Sequence, residues 1–147
     1  MDIGFKMIHY FFENTDPINL PENTEEWLKN LIIEENKKPG KINYIFCDDE
    51  YILKVNQDYL QHDYYTDIIT FDYVKGKTIS GDIFVSLQRI SDNASTLSKE
   101  FDSELKRVLA HGILHLCGYK DKSQEEEKEM RSKEDYYINK YEEGIKK

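Results

Sequence analysis

The chain has 147 residues and a formal net charge of −9 at pH 7, with 29 acidic and 20 basic side chains. This length suits one domain that buries a core without disulfides, and we expect residues 1–147 to form a single domain. No apolar run approaches the length of a membrane span and no N-terminal signal peptide is recognisable, so we expect a cytoplasmic protein without membrane contact. The excess of acidic residues argues against a function that depends on binding phosphates through a broad basic surface.

Four segments have the patterning of β-strands. Each is rich in aromatic and β-branched side chains, or alternates apolar with polar residues. Lys75-Gly76-Lys77 stands between the last two segments and predicts a hairpin turn. The predicted strands cover residues 5–12, 42–47, 68–74 and 79–85.

Helix-start signals precede the predicted helices. The first and last of them have a glutamate three residues further on, which is the spacing of a capping box. We expect the first helix to end at Pro39-Gly40, because proline and glycine interrupt helices. The predicted caps, in chain order, are Asn23, Asp48 or Asp49, Ser86 and Ser123.

The helix expected after Ser98 carries two histidines four residues apart. His111 and His115 therefore lie on one helix face, close enough to bind one metal ion. Gly118 stands where a left-handed residue ends a helix, so the chain can turn and bring Asp121 back toward the imidazoles. Zinc accepts carboxylate oxygen as well as imidazole nitrogen, and we expect one zinc ion on these three ligands. The alternative is that the two histidines are packing groups.

This order of elements predicts an α+β fold, in which a small mixed four-stranded sheet packs with helices around a central metal-binding helix.

Three protein ligands leave an open position for water, whereas structural zinc is normally closed by four. Gly112 follows His111 at the position where HExxH metalloproteases have their general base. Protease chemistry of that form is therefore not expected.

A segment that begins in the helix with the two histidines resembles the zinc motif of the YbeY family of rRNA-maturation endoribonucleases. It is His111-Gly112-x-Leu114-His115-Leu116-x-Gly118-Tyr119. Two upstream segments are similar to a loop-to-strand motif of that family and to its next strand. They contain Asn56-x-x-Tyr59, Asp63, Thr66, Phe71 and Gly81-Asp82-Ile83.

The resemblance implies a zinc-dependent, single-strand-specific endoribonuclease acting in small-subunit rRNA maturation and ribosome quality control. It implies rRNA and the small ribosomal subunit as partners, and we expect a monomer. Two positions depart from the family pattern. The family usually has a third histidine where this chain has Asp121, after an aspartate where this chain has Lys120. It also usually has an arginine directly after the tyrosine of the upstream motif, where this chain has Leu60.

Several other side chains are candidates for the site. Arg107 or His62 can assist at a phosphate, with a helix-surface charge or a solvated imidazole as the alternatives. Tyr64 and Tyr65 can stack on unpaired bases, or are ordinary surface tyrosines. Asp82 can orient a ligand histidine from behind, or can serve only in a turn.

Two further functions stay open. The chain can be a ribosome-assembly factor whose metal site is structural or weakly active, which Leu60 and the acidic charge favour. It can also be a zinc-dependent hydrolase of another substrate, which the HxxxH helix permits.

Overall fold

A computed structural model describes residues 7–60 and 66–146. Four of its segments form one sheet, in which the first strand pairs parallel to the second, the second parallel to the fourth, and the third antiparallel to the fourth. The order across the sheet is therefore first, second, fourth and third. The strands are β1 (Ile8–Glu13), β2 (Lys38–Cys47), β3 (Ile68–Asp72) and β4 (Thr78–Ser86).

The described residues also form five helices, so the predicted α+β class with a mixed four-stranded sheet is confirmed. Within this part of the chain, none of the helices combines the length and apolarity needed to cross a bilayer. The helices are α1 (Thr24–Glu34), α2 (Asp49–Leu60), α3 (Leu87–Thr96), α4 (Phe101–Leu116) and α5 (Gln124–Lys146).

The histidine-bearing helix α4 lies close against one face of the sheet. A Cβ atom added to Gly112 would lie 3.1 Å from side-chain atoms of Ile68 and Ile83. Leu116 lies one helical turn after Gly112, and a Cβ atom added to Gly81 of β4 would lie 3.1 Å from the Leu116 side chain. The two glycines allow helix and sheet backbones to approach, which fixes α4 relative to β3 and β4.

The other helices complete two layers around the sheet. α1 and α5 share the main core with α4, and the Trp27 indole N–H donates to the carbonyl of Tyr137 at 2.8 Å. α2 packs against the sheet through a smaller cluster of Cys47, Ile52, Val55 and Ile69. Since Ile69 and Ile68 point to opposite faces of β3, α2 lies on the face opposite α4.

Two predictions about α1 are wrong, namely the capping bond at its start and the position of its end. Asn23 precedes the helix as expected, but its backbone is left-handed, at φ 61°, and its side chain makes no capping hydrogen bond. The helix also ends before Pro39-Gly40, because Asn36 adopts φ 63° and the Lys37 N–H donates back to the carbonyl of Ile32 at 3.1 Å. Pro39 and Gly40 instead lie in β2, where the register shifts between Pro39 and Ile42.

The remaining turn and cap predictions agree with the structure. Gly76 has φ 59° in the turn that joins β3 to β4. The Asp48 side chain accepts from the Tyr51 N–H at 2.9 Å, so Asp48 rather than Asp49 caps α2. Ser86 caps α3, and the reciprocal bonds of Ser123 and Glu126 form a capping box before α5. The strand boundaries differ by a few residues from those predicted, and residues 5 and 6 lie outside the described part.

Enlarging Gly112 tests whether the close approach of α4 to the sheet is needed. We expect Gly112→Val to lower the free energy of unfolding by about 1–3 kcal/mol, because its methyl groups overlap Ile68 and Ile83. Gly144→Ala is the control, since no atom beyond its chain neighbours and the adjacent helix backbone lies within 4 Å of its added Cβ. Urea unfolding measures both, and a Gly112→Val protein as stable as the control would contradict this packing.

Candidate active site

The chain reverses direction directly after α4. Gly118 adopts φ 112°, and its N–H donates to the carbonyl of His115 while the Tyr119 N–H donates to the carbonyl of Leu114, each at 3.1 Å. These two bonds are those of a Schellman motif. The turn predicted at Gly118 is therefore present, and it places Asp121 Oδ2 3.2 Å from His111 Nε2.

A hydrogen-bonded carboxylate holds the segment that carries Asp121. The Tyr119 hydroxyl donates to Glu35 Oε1 at 2.7 Å, and Lys133 Nζ lies 3.2 Å from Glu35 Oε2. The Tyr137 hydroxyl donates to the same Oε2 atom. Glu35 thus joins the end of α1, the loop after α4 and α5 at one point close to the site.

His111 is held from its other side by a buried glutamate that the sequence analysis did not identify. Glu134 of α5 is 4% exposed, and its Oε2 lies 2.7 Å from His111 Nδ1. Its Oε1 accepts from Arg107 Nη1 at 2.8 Å. A carboxylate at Nδ1 fixes the ring orientation and favours a proton there, so Nε2 is the nitrogen that faces Asp121.

A pattern in the sequence marks Glu134. Met130, Tyr137 and Tyr141 recur at helical spacing and lie buried along one face of α5. Glu134 occupies that same face, four residues after Met130 and three before Tyr137. A carboxylate on a core-facing stripe requires a partner, and the sequence alone does not show which element supplies it.

The surrounding carboxylates determine the ionisation of His111. Burial lowers the pKa of its imidazole, but the hydrogen bond to Glu134 and the charges of Asp121 and Asp67 outweigh burial and raise the pKa above its ordinary value. Burial raises the pKa of the Asp67 carboxyl, against the opposing effect of His111. The carboxylates around His111 therefore favour its protonated form more than water does.

The three side chains predicted to bind zinc are of types that zinc accepts, but they do not converge on one point. The rings of His111 and His115 are nearly parallel, at 7°, with centroids 6.3 Å apart. His115 Nδ1 is buried without a hydrogen-bond partner among the described residues, although buried polar atoms normally have one. Within residues 7–60 and 66–146, no three His, Cys, Asp or Glu side chains have metal-binding geometry.

Two clefts meet at His111 and Asp121. One, of about 820 Å³, is also lined by Glu134 and by Arg131 of α5. The other, of about 440 Å³, lies between Leu60 of α2, β3 and α4, and His115 lines it. A substrate placed across the two would contact both histidines.

The other residues predicted for the site differ in where they lie relative to His111. Arg107 lies beside His111, but its guanidinium contacts Glu134 and Asp135, at 2.8 and 2.6 Å. Asp82 is not behind a histidine, because it points to the sheet face opposite α4 and accepts from Asn43 Nδ2 at 2.9 Å. His62, Tyr64 and Tyr65 lie outside the described residues.

The sequence matches the family model Endoribonuclease YbeY over residues 10–142. The chain belongs to the YbeY family. The predicted family is thereby confirmed, and membership supports a nuclease, a class of hydrolase.

Individual relatives agree with this family over nearly their whole length. An Endoribonuclease YbeY of Flavobacterium johnsoniae is 55% identical over 132 residues, covering 90% of this chain and 95% of that protein. One of Christiangramia forsetii is 51% identical over 131 residues, covering 89% and 92%. A solution structure of a Thermotoga maritima protein is 26% identical, with a TM-score of 0.64 over 94% of this chain and 93% of that one.

Removing the charge of Glu134 tests its effect on His111. In chelator, the raised pKa of His111 contributes stability that is fully present below the ordinary pKa of 6.5 and is lost as pH rises through the folded pKa. We expect Glu134→Gln to lose less stability than wild type over this rise. Asp135→Asn is the matched control, since Asp135 binds Arg107 and the structure shows no contact between it and His111. Urea unfolding at several pH values gives the slopes, and equal slopes for all three proteins would contradict the assignment.

Proposed function

We propose that this chain is a zinc-dependent endoribonuclease that cleaves single-stranded RNA in small-subunit rRNA maturation and ribosome quality control. Its proposed partners are rRNA and the small ribosomal subunit. The observation that carries the proposal is His111, oriented by Glu134 and facing Asp121 where two clefts meet. Relatives that are named endoribonucleases support the RNA substrate.

His111, His115 and Asp121 would hold the zinc ion. Zinc supplies Lewis acidity, which polarises a phosphodiester and makes water a better nucleophile. Glu134 binds His111 at Nδ1, which leaves the lone pair of Nε2 available to bind the metal. Asp121 brings one negative charge, so this ligand set is less positive than three neutral imidazoles. The buried surroundings of Glu134 fix these positions before substrate arrives.

We assign the phosphate-binding cation to Arg131. The family arginine is replaced by Leu60, which lines a cleft but has no charge. Arg107 is already bound to two carboxylates. Arg131 lines the larger of the two clefts, beside His111 and Asp121, and makes no ion pair with a described residue. A guanidinium matches the geometry of a phosphate and binds it through paired N–H donors.

Metal-dependent cleavage is the first test of the enzyme. We expect tag-free protein to cleave a single-stranded RNA with zinc, and to lose cleavage with chelator. His111→Ala, purified identically, should be inactive because it lacks one ligand, which also excludes a contaminating nuclease. Cleavage by His111→Ala at the wild-type rate would refute the proposed site.

The role of Arg131 is tested by removing its charge. We expect Arg131→Ala to lower kcat/KM for RNA cleavage by about a hundredfold, because it removes a donor to the charge of the transition state. Arg131→Lys should recover part of this loss. Lys99→Ala is the control, since it removes one exposed positive charge from a residue that lines neither cleft. Equal losses in Arg131→Ala and Lys99→Ala would show that Arg131 acts only through net charge.

A non-catalytic ribosome-assembly factor is the second candidate function. Two features favour it: Leu60 stands where the family usually has an arginine, and the chain has a net charge of −9. Protein that holds one equivalent of zinc and binds ribosomal subunits, but leaves RNA intact, would establish this second function instead of the first.

A further inference from the structure

Four lysines lie together at one end of the sheet, where β2 begins and the β3–β4 hairpin turns. The Lys38 N–H donates to the carbonyl of Lys77 at 2.8 Å, and Lys75 forms a β-bridge with Thr78, which is also the register partner of Lys38. Lys37 directly precedes Lys38. We call Lys37, Lys38, Lys75 and Lys77 the lysine cluster.

The cluster makes no direct ion pair within the described part of the chain. None of its four lysines forms an ion pair there, whereas Lys29, Lys133 and Lys140 each pair with a glutamate. Asp72, the acidic residue nearest the hairpin in sequence, accepts from the Val74 N–H at 2.8 Å. Four neighbouring cations form a local positive surface in a chain of net charge −9, and such a surface attracts an anionic partner.

An exposed aromatic ring flanks the cluster. Tyr73 is 56% exposed, and its N–H donates to the carbonyl of Ser80 at 3.0 Å, so its backbone is fixed. Burial and the neighbouring Asp82 carboxylate raise the pKa of its hydroxyl, so Asp82 lies at the hydroxyl end while more than half of the side chain stays open to solvent. Cations that bind phosphates, next to a ring on which a base can stack, are the combination used to bind single-stranded nucleic acid. This favours RNA over a lipid surface or an acidic peptide, neither of which has bases.

The cluster is within reach of the cleft. Thr70 lines the same cleft as His115, and Lys75 follows five residues later along the chain. An extended segment of that length spans at most about 17 Å. Lys122, which also lines this cleft, adds a cation on the cleft side. One RNA strand can therefore contact the cleft and the cluster together.

We propose that the lysine cluster and Tyr73 bind the backbone and one base of single-stranded RNA outside the cleavage site. This inference rests on the proposed function and adds a second region of substrate contact to it. Phosphate contacts carry no sequence information, so the cluster positions the strand without selecting its sequence.

The test is RNA binding by a hairpin variant, Lys75→Gln with Lys77→Gln, measured in chelator by fluorescence anisotropy over a range of salt concentrations. The magnitude of the slope of log K against log salt should fall by about 1.4, because each lost phosphate contact with a single strand contributes about 0.7. The control is Lys54→Gln with Lys99→Gln, which removes the same charge from two other exposed positions. Its slope should equal that of wild type.

A second pair of variants isolates the stacking contact. Tyr73→Ala should weaken binding at least about fivefold, since a base–aromatic stack is lost. Tyr73→Phe keeps the ring and should bind as wild type does. Equal weakening by both variants would show that stacking is not the contribution of Tyr73, and would overturn that part of the inference.

The outcomes separate this inference from the function on which it rests. If wild type binds and cleaves RNA while the hairpin variant matches its control, the lysine cluster is not an RNA site and the proposed function stands. If wild type neither binds nor cleaves RNA, the proposed function fails and the inference fails with it. If vesicles containing anionic phospholipid bind wild type but not the hairpin variant, while RNA binding is equal, the cluster belongs to a membrane surface and the inference is overturned.

Discussion

The hydrogen bond between His111 and Glu134 is the contact on which the rest of the site depends. It joins α4 to α5 within the protein interior, and the same carboxylate also binds Arg107. A buried carboxylate without these partners would carry a large desolvation cost, so the pairing ties correct docking of α5 to correct orientation of His111. Docking of α5 and orientation of the His111 ring are therefore one event.

The site is organised by carboxylates, which accounts for part of the acidic composition. Glu134, Asp121 and Asp67 all act on His111, and Glu35 holds the loop that follows α4. Such a site suits a metal cation and repels an RNA backbone until cations are added. Zinc and Arg131 would supply positive charge in the cleft, and the lysine cluster would supply it further along the strand.

Local sequence signals predicted the structure correctly where residues close in sequence form hydrogen bonds with the backbone groups at a helix end. Ser86, the Ser123–Glu126 box and Gly118 were recognised because caps depend on a few neighbouring residues. Asn23 was misread because its left-handed backbone turns the side chain away from the N–H groups that it would cap. The end of α1 was misplaced because proline at the start of a strand carries the same signal as proline after a helix.

The sequence by itself determined the α+β class, the two histidines on one helix face, the return of Asp121 and the family to which the chain belongs. Each of these depends on spacing along the chain, and spacing is visible in one dimension. Only the tertiary structure decided that Glu134 orients His111, that Arg107 is bound by two carboxylates and that Asp82 faces away from the histidines. These facts depend on which helix face meets which strand face, and that is settled by packing of the whole core.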